Sequence, residues 1–271
     1  MAADKYSDKF LGVYLFDEVG GKLIDGAHSI NLTAANTYTE AAILYTHHLN
    51  YYLGNISNYY KPAEFPLFTS DYALYWYDYI AGYDVVFTEY VSNQSRQIAT
   101  DLCRGAAKTL NKEWGAIITS GQLEPFVENP DQLYHDMVLA YQSGAKYIIV
   151  FDSPANSTEP KTNGTLTSDH FEKMNHFWNY ARTHPAVDEY PTNTAFILPR
   201  DYGYGFRGPD DRIWGKWGAD QLSSQIWTNV QALLKMYVLD LDIVYETRIA
   251  DEVIDLPYTK AIFWNGTIIQ E

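Results

Sequence analysis

Three carboxylate side chains lie at the ends of apolar segments that are predicted to be buried strands: Glu18, Glu89 and Asp152. Two carboxyl groups that face one bond can act as a proton donor and as a base or nucleophile, which is the pairing that glycoside cleavage needs. Apolar neighbours raise the pKa of a carboxyl group, so Glu89 is the expected acid and Asp152 or Glu18 the expected ionised partner. The alternative role for all three is to cap a helix or pair with an arginine.

The chain is rich in aromatic residues, with 24 Tyr, 12 Phe and 7 Trp. Tyr and Trp fill protein cores, but they also line sugar-binding clefts because each combines an apolar ring with a polar tip. The residues predicted to contact substrate are Trp76, Tyr77, Tyr90, Trp114 and, beside the first carboxylate, Asp17. Packing in the core or at its rim is the alternative role for the four aromatic residues.

Histidine and cysteine give no sign of a metal centre. The adjacent His47 and His48 point to different faces of a predicted helix, and the spacing His-x-x-x-His does not occur. The single cysteine, Cys103, excludes an intrachain disulfide and is predicted to be a small buried hydrophobe. Phosphate-loop and Gly-x-Ser-x-Gly motifs are also absent from the sequence, so we expect neither a metal nor a cofactor.

The elements that must position these residues alternate between short apolar segments and amphipathic stretches. Strands are predicted at 10–16, 66–69, 84–88, 114–119 and 145–151, with helices between and after them. Buried strands without internal alternation predict an α/β fold with a parallel sheet covered by helices. In a (β/α) barrel of the TIM-barrel type, catalytic groups lie at the carboxyl ends of the strands, where these carboxylates are expected.

The pattern changes abruptly after Pro191. A strand at 195–198 precedes a loop rich in glycine and aromatic residues, and a helix at 221–237 and strands at 242–245 and 261–264 follow. The eight strands could form one barrel that lacks its last helix. We favour an incomplete barrel-like domain at residues 1–188, followed at 189–271 by the start of a doubly wound α/β domain.

Six Asn-X-Ser/Thr sequons occur, whereas the composition leads us to expect about two by chance. They begin at Asn31, Asn55, Asn93, Asn156, Asn163 and Asn265. We therefore expect a glycoprotein that is extracellular or at the cell surface, with a signal peptide encoded upstream of the segment that begins at Met1. The alternative is an acidic cytoplasmic protein with accidental sequons.

The net charge of −15 argues against nucleic acid and anionic lipid as partners. The apolar segments are far shorter than the roughly 20 residues that a membrane-spanning helix needs, so no membrane span is expected. Carbohydrate is the expected partner, and the sequence leaves open whether the chain forms an oligomer.

Three stretches carry a family resemblance: FLGVYLFDEVGG at 10–21, GAKYIIVFDS at 144–153 and LPRDYGYGFR at 198–207. They resemble an uncharacterised group of exported archaeal proteins, which is distantly similar to (β/α)8-barrel glycoside hydrolases. The segment after Pro191 resembles the start of the small α/β domain that follows the barrel in some β-galactosidases. The chain departs from the pattern at Val19, where a proline is expected, and at Thr88-Glu89, where many of these hydrolases carry Asn-Glu.

The resemblance implies an exported glycoside-hydrolase-like protein that acts on a polysaccharide through a pair of strand-end carboxylates. A non-catalytic cell-surface or assembly protein that retains a barrel scaffold is the alternative. Both functions use the same fold, so only the geometry of the carboxylates can distinguish them.

Overall fold

The computed structural model describes residues 10–27, 30–59, 65–91, 94–119, 128–152, 165–185, 192–249, 252–253 and 256–270. Its helices are α1 Val19–Ile24, α2 Tyr38–Tyr59, α3 Tyr75–Ala81, α4 Arg96–Thr109, α5 Pro130–Gln142, α6 Ser168–Thr183 and α7 Gln221–Tyr237. Its strands are β1 Val13–Tyr14, β2 Leu67–Asp71, β3 Val85–Tyr90, β4 Glu113–Thr119, β5 Tyr147–Phe151, β6 Thr194–Leu198, β7 Asp242–Tyr245, β8 Arg248–Ile249, β9 Glu252–Val253, β10 Lys260–Phe263 and β11 Ile268–Gln270.

The first five strands form one parallel sheet in the order β1-β2-β3-β4-β5. The sheet curls into half of a barrel, and helices cover its outer face. This confirms the predicted α/β class and the parallel pairing of the five apolar segments. The first strand is shorter than its apolar segment, because Phe16 and Glu18 adopt left-handed backbone angles (φ 55° and 56°) that end the ladder.

Side chains of the first sheet alternate between its two faces. On β3, Val86 and Tyr90 face the helix layer, whereas Phe87 packs with Phe68 and Ile117 on the opposite, concave face. Glu89 has the parity of Phe87, so it lies on the concave face at the carboxyl end of its strand. The site therefore begins where this apolar row ends.

The segments after Pro191 form a second sheet in the order β11-β10-β6-β7, separate from the first. Strand β6 pairs in parallel with β7 and β10, and β11 returns antiparallel to β10 through a turn at Gly266 (φ 87°). The described strands thus do not close into a single eight-stranded barrel, and that alternative is wrong. Since the strands β6, β7, β10 and β11 pair with one another, the change of pattern after Pro191 corresponds to a change of sheet.

Helix α4 lies between the two sheets and packs against both. Cys103 is buried with its Sγ 3.5 Å from the carbonyl oxygen of Val86 on β3, which confirms the prediction for this residue. On the other side, Gly105 lies so close to β7 that a Cβ there would be 2.9 Å from Val244 Cγ1. Arg104 Nε on α4 donates to Asp242 Oδ1 on β7 at 2.7 Å, and both side chains are buried. One continuous apolar core therefore joins the two sheets.

The longest described helix, α2, covers 22 residues and packs on α3. Its side chains Ala41, Tyr45, Leu49 and Leu53 are buried, whereas Ile43, Tyr51 and Tyr52 are exposed. Of the helices that the structure describes, none combines the length and the apolar character that crossing a bilayer requires.

Candidate functional site

The turn from β1 into α1 carries Asp17 and Glu18 over the concave edge of the first sheet. Both neighbours of Asp17, namely Phe16 and Glu18, have positive φ angles, which non-glycine residues adopt at an energetic cost. The Glu18 amide donates to the Ser70 carbonyl at 2.9 Å and so attaches the turn to the end of β2. Strain of this kind is concentrated at functional sites when the surrounding structure holds it in place.

Asp71, the last residue of β2, holds the start of α1. Its carboxylate accepts the backbone N–H groups of Gly20 at 2.6 Å and Gly21 at 2.7 Å, as well as those of Tyr72 and Ala73. A Cβ at Gly20 would lie 2.8 Å from Asp71 Oδ2, so the close approach requires glycine there. Burial raises the pKa of Asp71 to about 7, although the four N–H bonds act in the opposite direction.

A serine hydroxyl joins two carboxyl groups at this edge. Ser70 Oγ lies 2.5 Å from Glu89 Oε1 and 2.9 Å from Asp17 Oδ1. Tyr14 adds a second hydroxyl, which donates to Asp17 Oδ1 at 2.6 Å and lies 2.6 Å from Ser70 Oγ. Burial, followed by the bond to Asp17, raises the pKa of Tyr14, so this hydroxyl stays neutral and remains a donor. The cluster is therefore a connected network, not a set of separate side chains.

Glu89 is held in its protonated form at neutral pH. Only 5% of the residue is exposed, and this burial is the largest cause that raises the pKa of its carboxyl group to about 9. The neighbouring Glu18 carboxyl, which hydrogen-bonds to Glu89, contributes to the same rise, and the Ser70 hydroxyl partly opposes it. On its other side, Glu18 Oε2 forms an ion pair with Lys22 Nζ at 3.0 Å.

Asp17 differs from Glu89 in its access to solvent, because about half of its side chain is exposed (52%). Lys22 Nζ lies 3.5 Å from Asp17 Oδ2 and also donates to the Asp17 carbonyl oxygen at 3.1 Å. A buried protonated acid and an exposed carboxylate beside a lysine thus share one serine. This separation of roles by environment is typical of acid–base chemistry.

An exposed row of aromatic rings continues from the strained turn. The Phe16 ring lies 6.2 Å from that of Tyr52 on α2, which also contacts Tyr51 and His48 at 5.4 and 4.9 Å between centroids. Phe16, Tyr51 and Tyr52 are all exposed large side chains. Sequence reasoning missed this row, because its rings come from a turn and a helix that are distant in sequence.

The four aromatic residues predicted to bind substrate do not belong to the cluster around Ser70; all four are buried. Trp76 packs on Tyr245, and Tyr77 packs on Trp214, with centroids 5.8 and 4.5 Å apart. Tyr90 and Trp114 have helix-facing parity on their strands; Tyr90 hydrogen-bonds to Thr100, and both residues are buried. None of these rings lies on the concave face beside Glu89, and their contact with a sugar stays a prediction.

Asp152 is separated from the other two carboxylates proposed for catalysis. It follows β5, which is two strands from β3, and its Oδ1 accepts the backbone N–H and the hydroxyl of Thr165, each at 2.6 Å. Its bonds thus connect the end of β5 to the residues that precede α6. The structure brings Glu18 and Glu89 together with Asp17, whereas Asp152 follows a strand two positions along the sheet from that of Glu89.

Three of the six sequons lie in the described part of the chain. Asn31, Asn55 and Asn265 are exposed. Asn31 Oδ1 accepts the Thr33 hydroxyl at 2.6 Å, and Asn265 Oδ1 accepts the Thr267 amide at 3.0 Å, so each asparagine bonds within its own sequon. The predictions for Asn93, Asn156 and Asn163 concern residues outside the described ranges.

The residues that the structure describes contain no group of three or more histidine, cysteine, aspartate or glutamate side chains arranged to hold a metal ion. Comparison of the chain with protein-family models, with curated proteins and with solved structures finds no match. What the cluster does must therefore follow from its own chemistry.

Proposed function

We propose that the chain hydrolyses a glycosidic bond, with Glu89 as the proton donor and Asp17 as the ionised partner. The observation that carries this proposal is the Ser70 hydroxyl, which bonds to a carboxyl oxygen of each. Two hydrogen bonds in series keep these oxygens within about 5–5.5 Å, the separation used when the second carboxylate acts as nucleophile. The two partners expected for Glu89 are Asp152, which bonds to Thr165, and Glu18, which pairs with Lys22 at 3.0 Å. We assign the role to Asp17 instead, because it shares the Ser70 hydroxyl with Glu89.

Protonation supports this assignment of roles. A carboxyl group whose pKa is about 9 keeps its proton at neutral pH, and it can give that proton to a leaving-group oxygen. Asp17 is the more exposed of the two, with 52% of its side chain open to solvent. As the glycosidic bond breaks, Asp17 bonds to the anomeric carbon of the sugar. Water then displaces Asp17 from that carbon and gives its proton to Glu89, which regenerates both carboxyl groups.

The substrate and location belong to the same proposal. We propose a polysaccharide substrate outside the cell or at its surface, with glycans on the exposed sequon asparagines. The five-stranded sheet would be part of a (β/α) barrel, and residues 189–271 would begin a doubly wound domain. The exposed rings of Phe16 and Tyr52 beside Asp17 support a sugar ligand, because sugars stack on aromatic faces.

A specific observation favours the alternative, a non-catalytic surface or assembly protein. Glu89 is almost completely enclosed, and Glu18 is paired with Lys22, as expected if the carboxylates stabilise the turn. In that case the cluster would fasten β1, β2 and β3 together without meeting a substrate. The two functions predict different effects on activity for a substitution that removes the acidic proton of Glu89 but keeps the shape of its side chain.

The test is release of reducing sugar from a panel of plant, bacterial and archaeal polysaccharides. We expect Glu89→Gln, which is nearly isosteric, to lower kcat about 10²–10⁴-fold and Asp17→Asn to have an effect at least as large. Glu172→Gln is the matched control, because it makes the same change at an exposed position on α6.

Cleavage that survives Glu89→Gln would refute the assignment of the acid. A folded wild-type chain that cleaves none of the panel would favour the non-catalytic function, and the two variants would then change only stability. Urea unfolding of each variant separates loss of chemistry from loss of fold.

A further inference from the structure

A second concave site lies at the opposite edge of the first sheet from Glu89. A cavity of about 670 Å³ opens where β4 and β5 begin, between α4 on one side and α5 and α6 on the other. Its volume falls within the range of about 300–1,000 Å³ that is usual for small-molecule sites. Glycoside cleavage at the other edge makes no use of it.

The walls of this cavity, which we call the basal cavity, are aromatic. Trp114 forms its floor, Tyr141 and Phe177 meet edge to face with centroids 5.9 Å apart, and Trp178 stands at the mouth. Trp178 is 62% exposed, which is unusual for the largest apolar side chain. Flat walls of this kind suit a flat apolar ring, because ring faces and edges pack favourably at such spacings.

A buried hydroxyl in the wall lacks a partner. Ser143, the residue that ends α5, is fully buried, and its Oγ makes no hydrogen bond to any residue that the structure describes. The same burial closes the Ser143 Oγ to water, so it lies behind the cavity wall and cannot meet a ligand in the cavity. An anion in the cavity must therefore bind to the basic side chains.

Positive charge surrounds the same cavity. Arg104, Lys108, Lys112 and Lys146 line it, and Glu113 is the single acidic residue among the lining residues that are described. Arg104, Lys112 and Lys146 are paired with carboxylates. Lys108 Nζ instead contacts neutral groups, the Thr192 carbonyl oxygen at 2.6 Å and the Tyr258 ring, 4.9 Å from its centroid. An ammonium group has three donors, so Lys108 can also bind an anion.

The geometry points to a binding site for a small carboxylate whose body is a flat apolar ring. The ring would lie between Trp178 and Trp114, and the carboxylate would accept from Lys108. In a chain of net charge −15, a local cluster of basic side chains is where an anion can approach. This site is independent of glycoside cleavage and stands whether or not that proposal holds.

The test uses the full chain and a matched pair of probes, 2-naphthoate and the uncharged 2-naphthamide, with affinities from titration calorimetry. We expect naphthoate to bind saturably and about tenfold more tightly than the amide. Trp178→Ala should weaken naphthoate about five- to tenfold, whereas Phe171→Ala, which removes an equally exposed ring from the same helix outside the cavity, should not.

Two further variants locate the carboxylate. Lys108→Met should abolish the preference for naphthoate over naphthamide, whereas Ser143→Ala, which removes a hydroxyl closed to the cavity, should leave the preference unchanged. Glu89→Gln should leave naphthoate binding unchanged. The proposal is overturned if naphthoate does not bind saturably, if acid and amide bind equally, or if Trp178→Ala and Phe171→Ala have the same effect.

Discussion

The carboxylate of Asp71 accepts the backbone N–H of Gly20 at 2.6 Å, which joins the end of β2 to the first turn of α1 across 51 positions of sequence. This contact fixes the strained turn that carries Asp17 and Glu18. The two candidate catalytic carboxylates nearest to solvent therefore depend on an aspartate that has no direct contact with substrate in the proposed reaction.

Replacing Asp71 by asparagine tests this dependence. The amide keeps one acceptor oxygen but places an N–H₂ group near another donor, either Gly20 or the groups that bind Oδ1. We expect the free energy of unfolding to fall by about 1–3 kcal/mol. Asp210→Asn, at an exposed position, should change it by less than about 0.5 kcal/mol. Equal stability of the two variants in urea would show that the bonds to α1 do not matter.

The raised pKa of Glu89 predicts a specific pH dependence of stability. The folded state holds a proton on Glu89 up to about pH 9, whereas the ordinary value is 4.5, so the folded state binds more protons between these limits. The stability that Glu89 contributes is thus complete below about pH 4.5 and declines towards pH 9, by at most about 1.4 kcal/mol per pH unit.

Glu89→Gln removes this titration. The difference in unfolding free energy between wild type and Glu89→Gln should therefore fall steadily as pH rises from about 5 to about 9, measured by urea unfolding in buffers of equal ionic strength. The unfolding free energy of Glu172→Gln should stay at a constant difference from that of wild type across the whole pH range. Parallel curves for Glu89→Gln as well would mean that Glu89 is ionised in the folded protein at neutral pH.

The contact of α4 with the second sheet predicts opposite effects for two glycine-to-alanine changes. Alanine is the better helix former by about 1 kcal/mol, and at Gly54 on α2 no atom lies within 4 Å of the added Cβ. We expect Gly54→Ala to stabilise the protein by about 0.5–1 kcal/mol.

At Gly105 the new Cβ would lie 3.0 Å from the Ile243 carbonyl oxygen as well as against Val244. Gly105→Ala should destabilise the protein by about 1–3 kcal/mol despite its helix propensity, because overpacking separates α4 from β7. Thermal unfolding of the two variants side by side measures both effects. A stabilising Gly105→Ala would show that the two sheets can move apart without loss.

If the protein is exported and glycosylated, its mass should exceed that of the polypeptide. Protein from its native source should exceed the bare 31.0 kDa of the chain by one or more glycans on the sequon asparagines. Asn31→Gln and Asn265→Gln, at two exposed sequons, should each lower the mass of any glycosylated form, whereas Asn50→Gln, outside a sequon, should not. An intact mass equal to that of the bare chain would contradict export through a glycosylating pathway.

The sequence by itself determined the parallel sheet and the position of Glu89. Continuous apolar residues predict strands of a parallel sheet, so the segments around Val86, Ile117 and Ile149 could be recognised without knowledge of their neighbours, although Ile149 on the edge strand β5 is exposed. The end of the apolar segment placed Glu89 at the end of its strand, and the structure showed that it shares the face of Phe87. The change after Pro191 likewise followed from composition, and it marks the start of the second sheet.

Only the tertiary structure decided which side chains meet. Ser70 carries no sequence signal, yet strand order places it between Asp17 and Glu89, 53 and 19 positions away. Asp152 has a local pattern like that of Glu89, but its strand lies two positions further along the sheet, and its carboxylate bonds to Thr165. Local sequence specifies the end of a strand, whereas strand order and the curl of the sheet determine which ends are neighbours, and those depend on packing between distant segments.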